Sequence, residues 1–223
     1  MSIILYVNTL VAHPNIPPSE STINNATKEI IETGHFLHNA KLCPATSGNI
    51  SVRLGQDLIA ITASGKHKGA LTQDDILLMT LDGTVHSNKK PSAETLLHTT
   101  LYAFNTGIGA VIHTHTLNGT LLSRIVAPQT LLTTNGYELH KVFPGITTHE
   151  SEVIIPIFEN SQDIATLSQE VVRYLQTHSN VFGYLIRNHG FYTWGRDMNE
   201  ARMRVEAFEY LFESEMKLRT FTK

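Results

Sequence analysis

One short segment, Ala110-Val-Ile-His113-Thr-His115, combines an apolar, strand-forming run with two histidines at its end. Alternate residues of a strand project to the same face, so the two imidazoles are predicted to lie side by side. Zinc accepts such a pair of nitrogen ligands and needs at least one further protein ligand. Taken alone, the pair also fits two ordinary, partly exposed histidines at a strand end.

A third histidine ends another apolar run, in Leu185-Ile-Arg-Asn-His189-Gly190. The glycine permits close approach of neighbouring backbone. Three histidines at two strand ends match the plan of a catalytic zinc site, which leaves one position open for substrate. We therefore predict a metal site here. Six histidines without a partner spacing are expected at the surface: His13, His35, His38, His86, His98 and His178.

On either side of this segment, helical and strand-like patterns alternate along the chain. The helices are predicted to start at Ser19 as an N-cap and to cover 95–104, 117–125, 163–175 and 199–218. The strands are predicted at 49–54, 58–62, 76–81, 109–115, 153–158 and 182–186. Hairpin-like turns join several of these strands, so we predict a layered α/β/α architecture around a mostly antiparallel sheet.

The length and composition fit one catalytic domain. The chain has 223 residues, of which 41% are hydrophobic, enough for a single sizeable core. Residues 1–18 contain three prolines and are interpreted as an N-terminal extension, which leaves 19–223 as a single domain.

The charge pattern argues against large charged or lipid partners. A net charge of -3 provides no field for nucleic acid or an anionic membrane, and no apolar stretch is long enough to span a bilayer. The single cysteine, Cys43, excludes an internal disulfide and favours a cytoplasmic location. The expected partner is a small molecule, and local groups must hold any anion it carries.

Three loops have the composition of an anion site. Two glycine-containing turns, Thr46-Ser-Gly-Asn49 and Thr62-Ala-Ser-Gly-Lys66, expose backbone N–H groups, with hydroxyls and a lysine as further donors. Ser92 precedes a predicted helix whose positive end favours an anion. Each turn alone is more typical of an ordinary loop, but together they indicate phosphate binding.

Two carboxylates are candidates for proton transfer. Glu94 falls in the first turn of the predicted helix, where the helix dipole alone favours an acid. Glu138, in Asn135-Gly-Tyr-Glu138-Leu-His140, has no such structural reason to be acidic. A carboxylate beside a metal-bound carbonyl compound is the expected general acid or base, although spacing does not place Glu138 there.

The combination of these segments resembles the class II aldolase and adducin-head superfamily. The resemblance rests on Ala45–Asn49, Ile61–Gly69, Pro91–Glu94, His113–His115 and Arg187–Gly190. Within the superfamily, four segments are most similar to the sugar-phosphate dehydratases of methionine salvage: Ser64–Gly69, Gly136–Glu138, Thr147–Ser151 and Tyr192–Arg196.

The resemblance implies a zinc-dependent lyase acting on a small phosphorylated ketose, assembled as a homotetramer with its sites at subunit boundaries. One Zn²⁺ per subunit would be held by His113, His115 and His189. Glu138 would correspond to the acid/base residue of the dehydratases and Glu94 to the catalytic glutamate of the aldolases. The implied phosphate contacts are Gly48, Asn49, Ser64, Gly65 and Ser92, with Lys66 as a further donor from its loop.

Two alternatives use the same segments. A sugar-phosphate aldolase or epimerase would use the same metal site, and the Gly136-Tyr-Glu138 segment favours the dehydratase. A non-enzymatic interaction domain like the adducin head would be expected to lack the metal ligands, whereas this chain retains three histidines.

Overall fold

The computed structural model describes residues 17–221, so most of the predicted extension, 1–16, lies outside the described residues, as do 222–223. In the described range the α-helices are α1 (Glu20–Asn39), α2 (Thr95–Phe104), α3 (Leu117–Ile125), α4 (Ile164–Thr177) and α5 (Met198–Phe221). The strands are β1 (Asn49–Arg53), β2 (Leu58–Thr62), β3 (Ile76–Thr80), β4 (Ala110–Thr114), β5 (Leu131–Thr134), β6 (Val153–Phe158), β7 (Gly183–Ile186) and β8 (Gly190–Gly195).

The strands form one eight-stranded sheet in the order β3-β2-β1-β4-β8-β7-β6-β5. Every neighbouring pair is antiparallel except β6 and β7, which confirms the predicted mostly antiparallel sheet. Sequence reasoning missed β5 and β8. The latter, Gly-Phe-Tyr-Thr-Trp-Gly, is buried at every position, so it lacks the alternation of a half-exposed strand.

Helices cover both faces of the sheet, as predicted. Buried side chains of α2 and α4 pack on one face, and those of α1, α3 and α5 pack on the other. The first helix begins where expected, because the Ser19 hydroxyl accepts a hydrogen bond from the Thr22 N–H at 3.1 Å. None of the described helices is long and apolar enough to cross a membrane.

The sheet register brings three central strands together at the predicted metal site. His113 near the end of β4 lies opposite Asn49 of β1 on one side and Tyr192 of β8 on the other. The turn between β7 and β8 carries His189 to the same end of the sheet. Residues that are far apart in sequence thus meet at one edge.

Candidate metal centre

Four side chains converge at this edge: Glu94, His113, His115 and His189. One ligand atom from each lies within 4.8 Å of all the others. The Nε2 atoms of His113 and His115 are 3.0 Å apart. The two carboxylate oxygens of Glu94 lie 2.7 Å from Nε2 of His189 and 3.4 Å from Nε2 of His113. The three histidines that were predicted to form one metal site are therefore neighbours in space.

Strand geometry explains the histidine pair. His113 is buried on the α2 face of β4, and His115 follows one pleat later on the same face. The third ring is placed by a tight turn in which Asn188 adopts a positive φ of 56°. The Thr120 hydroxyl donates to the carbonyl of His189 at 3.3 Å, which ties the turn to α3.

Neighbouring acceptors fix the orientation of two rings. Nδ1 of His113 lies 3.1 Å from the Phe191 carbonyl, and its ring stacks on Tyr192 at 4.1 Å between centroids. Nδ1 of His189 lies 3.3 Å from the Asn160 side-chain oxygen. A carbonyl or amide oxygen requires an N–H at Nδ1, so the neutral form of each ring carries on Nε2 the lone pair that a metal uses.

Burial favours the neutral form of His113 and His115. Burial, the largest influence, lowers the pKa of His115 to about 4 and moves the pKa of His113 well below its ordinary value. Neutral imidazole is the form that binds a metal ion. Zinc is bound in proteins by imidazole nitrogens and carboxylate oxygens. The three imidazoles and the carboxylate of Glu94 that converge here therefore fit zinc.

Glu94 lies at the start of α2, where an acid usually stabilises the helix, but its carboxylate is directed elsewhere. It occupies the N-cap position of α2, but its carboxylate makes no capping hydrogen bond and points to the histidines instead. Burial would raise the pKa of Glu94, but the hydrogen bond to His189 and the fields of His113 and the other histidines lower it to about 2. The helix dipole therefore does not explain this acid.

The first predicted phosphate loop lies directly against the histidine strand. Gly48 has a φ of +79°, and a Cβ there would come within 2.6 Å of the His113 carbonyl oxygen. The next residue, Asn49, is buried, and its side-chain oxygen has no hydrogen-bond partner. Only glycine fits this close approach, and the loop holds an unsatisfied amide beside the centre.

The second loop is more exposed. Ser64 and Gly65 lie at the surface, and Gly65 has a φ of +72° with open space around it. The Lys66 ammonium is 2.8 Å from Asp75, so it could reach a phosphate only if this ion pair opened. Ser92 precedes α2, and its hydroxyl accepts a hydrogen bond from the Glu94 N–H at 3.3 Å.

Glu138 does not join the four converging residues. Its side chain is 70% exposed and lies 3.4 Å from His149, with Lys141 at 2.5 Å. The hydrogen bond from Lys141 holds the pKa of Glu138 below its usual value. Its predicted role in proton transfer stays a prediction.

One surface prediction was wrong. His98 is fully buried, and its Nδ1 lies 2.8 Å from the Ser51 hydroxyl. Of the other five, His13 lies outside the described residues, and the rest are exposed: His35, His38, His86 and His178. His98 falls on the buried face of α2, which the periodicity of Leu97 and Leu101 could have revealed.

Comparison with known proteins identifies the family. Residues 28–216 match the Class II Aldolase and Adducin N-terminal domain. The chain belongs to this family. Methylthioribulose-1-phosphate dehydratase of Pseudomonas aeruginosa is 52% identical over 198 residues, which cover 88% of this chain and 96% of the relative. The dehydratase of the same name from Azotobacter vinelandii is 52% identical over 194 residues, covering 86% and 94%. The similarity to these dehydratases that the sequence predicts is confirmed.

Solved structures of the class II aldolase family share the fold. YgbL of Klebsiella pneumoniae superposes with a TM-score of 0.75 at 21% identity and covers 88% of this chain and 90% of its own. L-fuculose-1-phosphate aldolase of Thermus thermophilus gives 0.71 at 22% identity, covering 91% and 97%. At these identities the likeness establishes the architecture and not the reaction.

Proposed function

We propose that this class II aldolase family member is a zinc-dependent lyase that removes water from 5-methylthioribulose 1-phosphate in methionine salvage. The product is 2,3-diketo-5-methylthiopentyl 1-phosphate. The observation that carries the proposal is the convergence of Glu94 with three histidines, whose ligand atoms lie within 4.8 Å of one another. The names of relatives at 52% identity select dehydration among the reactions that such a centre supports.

The chemistry follows from the groups at the site. A bound zinc ion would polarise the C2 carbonyl of the substrate and thereby acidify the C3 proton. Glu94 is ionised at neutral pH and lies against the ligands, so it is the candidate base for that proton. Loss of the C3 proton and the C4 hydroxyl gives an enol, which relaxes to the 2,3-diketone. All carbons stay in one product.

Glu138 is our candidate acid for the departing C4 hydroxyl. Its exposure in the single chain fits a site completed at a subunit boundary in the proposed homotetramer. An acid must be protonated, whereas the contact with Lys141 favours the carboxylate. The proposal therefore requires that substrate or a neighbouring subunit replaces this contact and raises the pKa of Glu138.

The phosphate would be held by the two glycine loops and Ser92. The buried Asn49 amide, with its unpaired oxygen, lies beside the His113 strand and is suited to orient the substrate. A cytoplasmic location is part of the proposal, because the single cysteine, Cys43, is free and buried.

The mass of the product tests the reaction. Purified protein, zinc-loaded, is given methylthioribulose 1-phosphate, and we expect one product lighter by one water. Glu138→Gln is expected to keep its zinc and lose on the order of a hundredfold or more in turnover, the usual scale for general acid–base help. Glu206→Gln, an exposed site on α5, is the matched control and should remain active.

Each alternative has its own result. Appearance of dihydroxyacetone phosphate would assign the chain to the aldolases. A protein that binds no metal and turns over no substrate would instead support an interaction domain. Normal turnover by Glu138→Gln would leave dehydration standing and remove Glu138 from it.

A further inference from the structure

A second lysine of the Ser64-Gly-Lys-His-Lys68 segment is buried beneath the phosphate loops. Lys68 begins a short 3₁₀ helix, and its side chain is 1% exposed. Fully buried lysines are uncommon in proteins because desolvation penalises the charged form. Burial accordingly lowers the pKa of Lys68. Such a residue requires a structural or functional explanation.

The ammonium of Lys68 joins the two predicted phosphate loops. Its Nζ donates to the Thr46 carbonyl at 3.0 Å and to the Lys66 carbonyl at 2.7 Å. One acceptor belongs to the loop of Gly48 and the other to the loop of Ser64. A single buried cation thus sets the separation of two loops that approach each other from different parts of the chain.

The charge of Lys68 lacks a carboxylate partner. No Asp or Glu among residues 17–221 lies within ion-pair distance of its Nζ, whereas Lys66 in the same loop is paired with Asp75 at 2.8 Å. The Cys43 thiol and the Glu94 carboxylate interact with Lys68 electrostatically, but neither forms an ion pair with it. Cys43 is not a counter-ion because burial raises the pKa of its thiol to about 12. An ammonium has three donors, and two carbonyls use only two of them.

We propose that Lys68 is a positioning residue for the substrate phosphate: it holds the two glycine loops at the spacing that a phosphate requires and supplies a positive charge beneath them that is not used in an ion pair. This inference rests on the proposed function, which has a phosphorylated substrate. It also distinguishes the two lysines of the segment. The charge of Lys66 is neutralised by Asp75, while that of Lys68 remains available to an anion.

Two substitutions separate the charge from the hydrogen bonds. Lys68→Met keeps the apolar stem and removes both. Lys68→Gln removes the charge but retains an amide that can donate to carbonyls. Lys28→Met, which removes an exposed ammonium on α1, is the control for net charge.

The probe is inorganic phosphate, measured by calorimetric titration of zinc-loaded protein and as a competitive inhibitor. Lys68→Met is expected to bind phosphate at least tenfold more weakly and to raise KM for the phosphorylated substrate by a similar factor. Zinc content and the circular dichroism spectrum should be unchanged, and kcat should fall by a smaller factor than KM rises. Lys68→Gln should resemble Lys68→Met in phosphate affinity, because the charge is absent in both.

Normal phosphate affinity in a folded, zinc-loaded Lys68→Met would overturn the proposal. Restoration of phosphate affinity by Lys68→Gln would mean that the hydrogen bonds to the two loops are sufficient, and it would overturn the role of the charge.

If neither variant folds, ¹⁵N spectra of the lysine ammonium groups in the wild-type protein test the proposal. The slowly exchanging signal of the buried ammonium must shift when phosphate is added, and an unchanged signal refutes an influence of Lys68 on the phosphate. Phosphate titration needs no turnover. Suppose that the wild-type protein binds phosphate but does not dehydrate the substrate, and that Lys68→Met no longer binds phosphate. This result would refute the proposed function and leave the role of Lys68 in phosphate binding standing.

Discussion

A carboxylate oxygen of Glu94 lies 2.7 Å from Nε2 of His189. Because Nδ1 of His189 faces the Asn160 side-chain oxygen, the neutral ring carries its lone pair on Nε2, the atom nearest Glu94. The lone pair and the carboxylate need a shared cation, which is a proton or a metal ion. The pair is therefore arranged to bind a cation, and the neighbouring histidines fit zinc.

Removing the charge of Glu94 tests whether it helps to bind the ion. Glu94→Gln keeps the shape of the side chain, and its amide can donate to the lone pair of His189. We expect zinc affinity to fall about tenfold to a hundredfold, the range for residues that support metal ligands, while the metal-free protein stays folded. Competition with a chelator measures the affinity, and Glu206→Gln is the control. Equal affinities in both variants would show that Glu94 does not contribute to zinc binding.

Metal stoichiometry tests the histidines. Purified wild-type protein should hold roughly one zinc per chain, since one three-histidine site is proposed. His113→Ala and His189→Ala should each lose most of it, whereas His86→Ala, at an exposed site, should not. Elemental analysis after dialysis gives the numbers. Full zinc occupancy in the first two variants would exclude the ligand set.

Asn160 is a residue that sequence patterns did not single out. Its side-chain oxygen lies 3.3 Å from Nδ1 of His189 and fixes the tautomer of that ring. Asn160→Ala should weaken zinc binding on the order of tenfold, with Asn180→Ala as an exposed control. Unchanged zinc affinity in Asn160→Ala would mean that other contacts are enough to orient the ring.

Gly48 should tolerate no side chain. Alanine there must adopt a φ of +79° and place its Cβ 2.6 Å from the His113 carbonyl oxygen. Gly83 also has a positive φ, +94°, but open space around it, so Gly83→Ala isolates the cost of the backbone conformation. We expect Gly48→Ala to lower the free energy of unfolding more than Gly83→Ala, which should cost about 1 kcal/mol. Equal losses in urea unfolding would contradict the close packing of this loop.

Structural features that follow from a local pattern of residues were predictable from the sequence. Features that depend on tertiary contacts were not. His113 in β4 and His115 just beyond it are two residues apart, so their shared face was predictable from the strand period. The resemblance implied a catalytic role for Glu94, but local patterns could not place its carboxylate at the centre, because it contacts rings that other parts of the chain supply. Strand β8 was missed because both of its faces are buried. Lys68 was not singled out, since only the fold places two carbonyls over its ammonium.

The buried His98 predicts how the stability of the metal-free protein depends on pH. Burial, partly offset by the negative field of Glu94, lowers the pKa of His98 to about 3, whereas an unfolded histidine has a pKa of about 6.5. Between these values the unfolded chain binds a proton that the folded chain does not. The contribution is thus fully present above pH 6.5 and is lost progressively as the pH falls toward 3.

Substitution of His98 isolates this contribution. His98→Asn keeps a polar atom near Nδ1 for the Ser51 hydroxyl but does not titrate. His115 and Glu94 also titrate at low pH, with pKa values of about 4 and about 2, so both proteins should lose stability in acid. The wild type should lose about 1.4 kcal/mol more per pH unit than His98→Asn between pH 6 and 4, which corresponds to one proton. Urea unfolding of chelator-treated protein measures both slopes. Parallel slopes would mean that His98 binds its proton equally well in the folded and unfolded chain, which its complete burial does not allow.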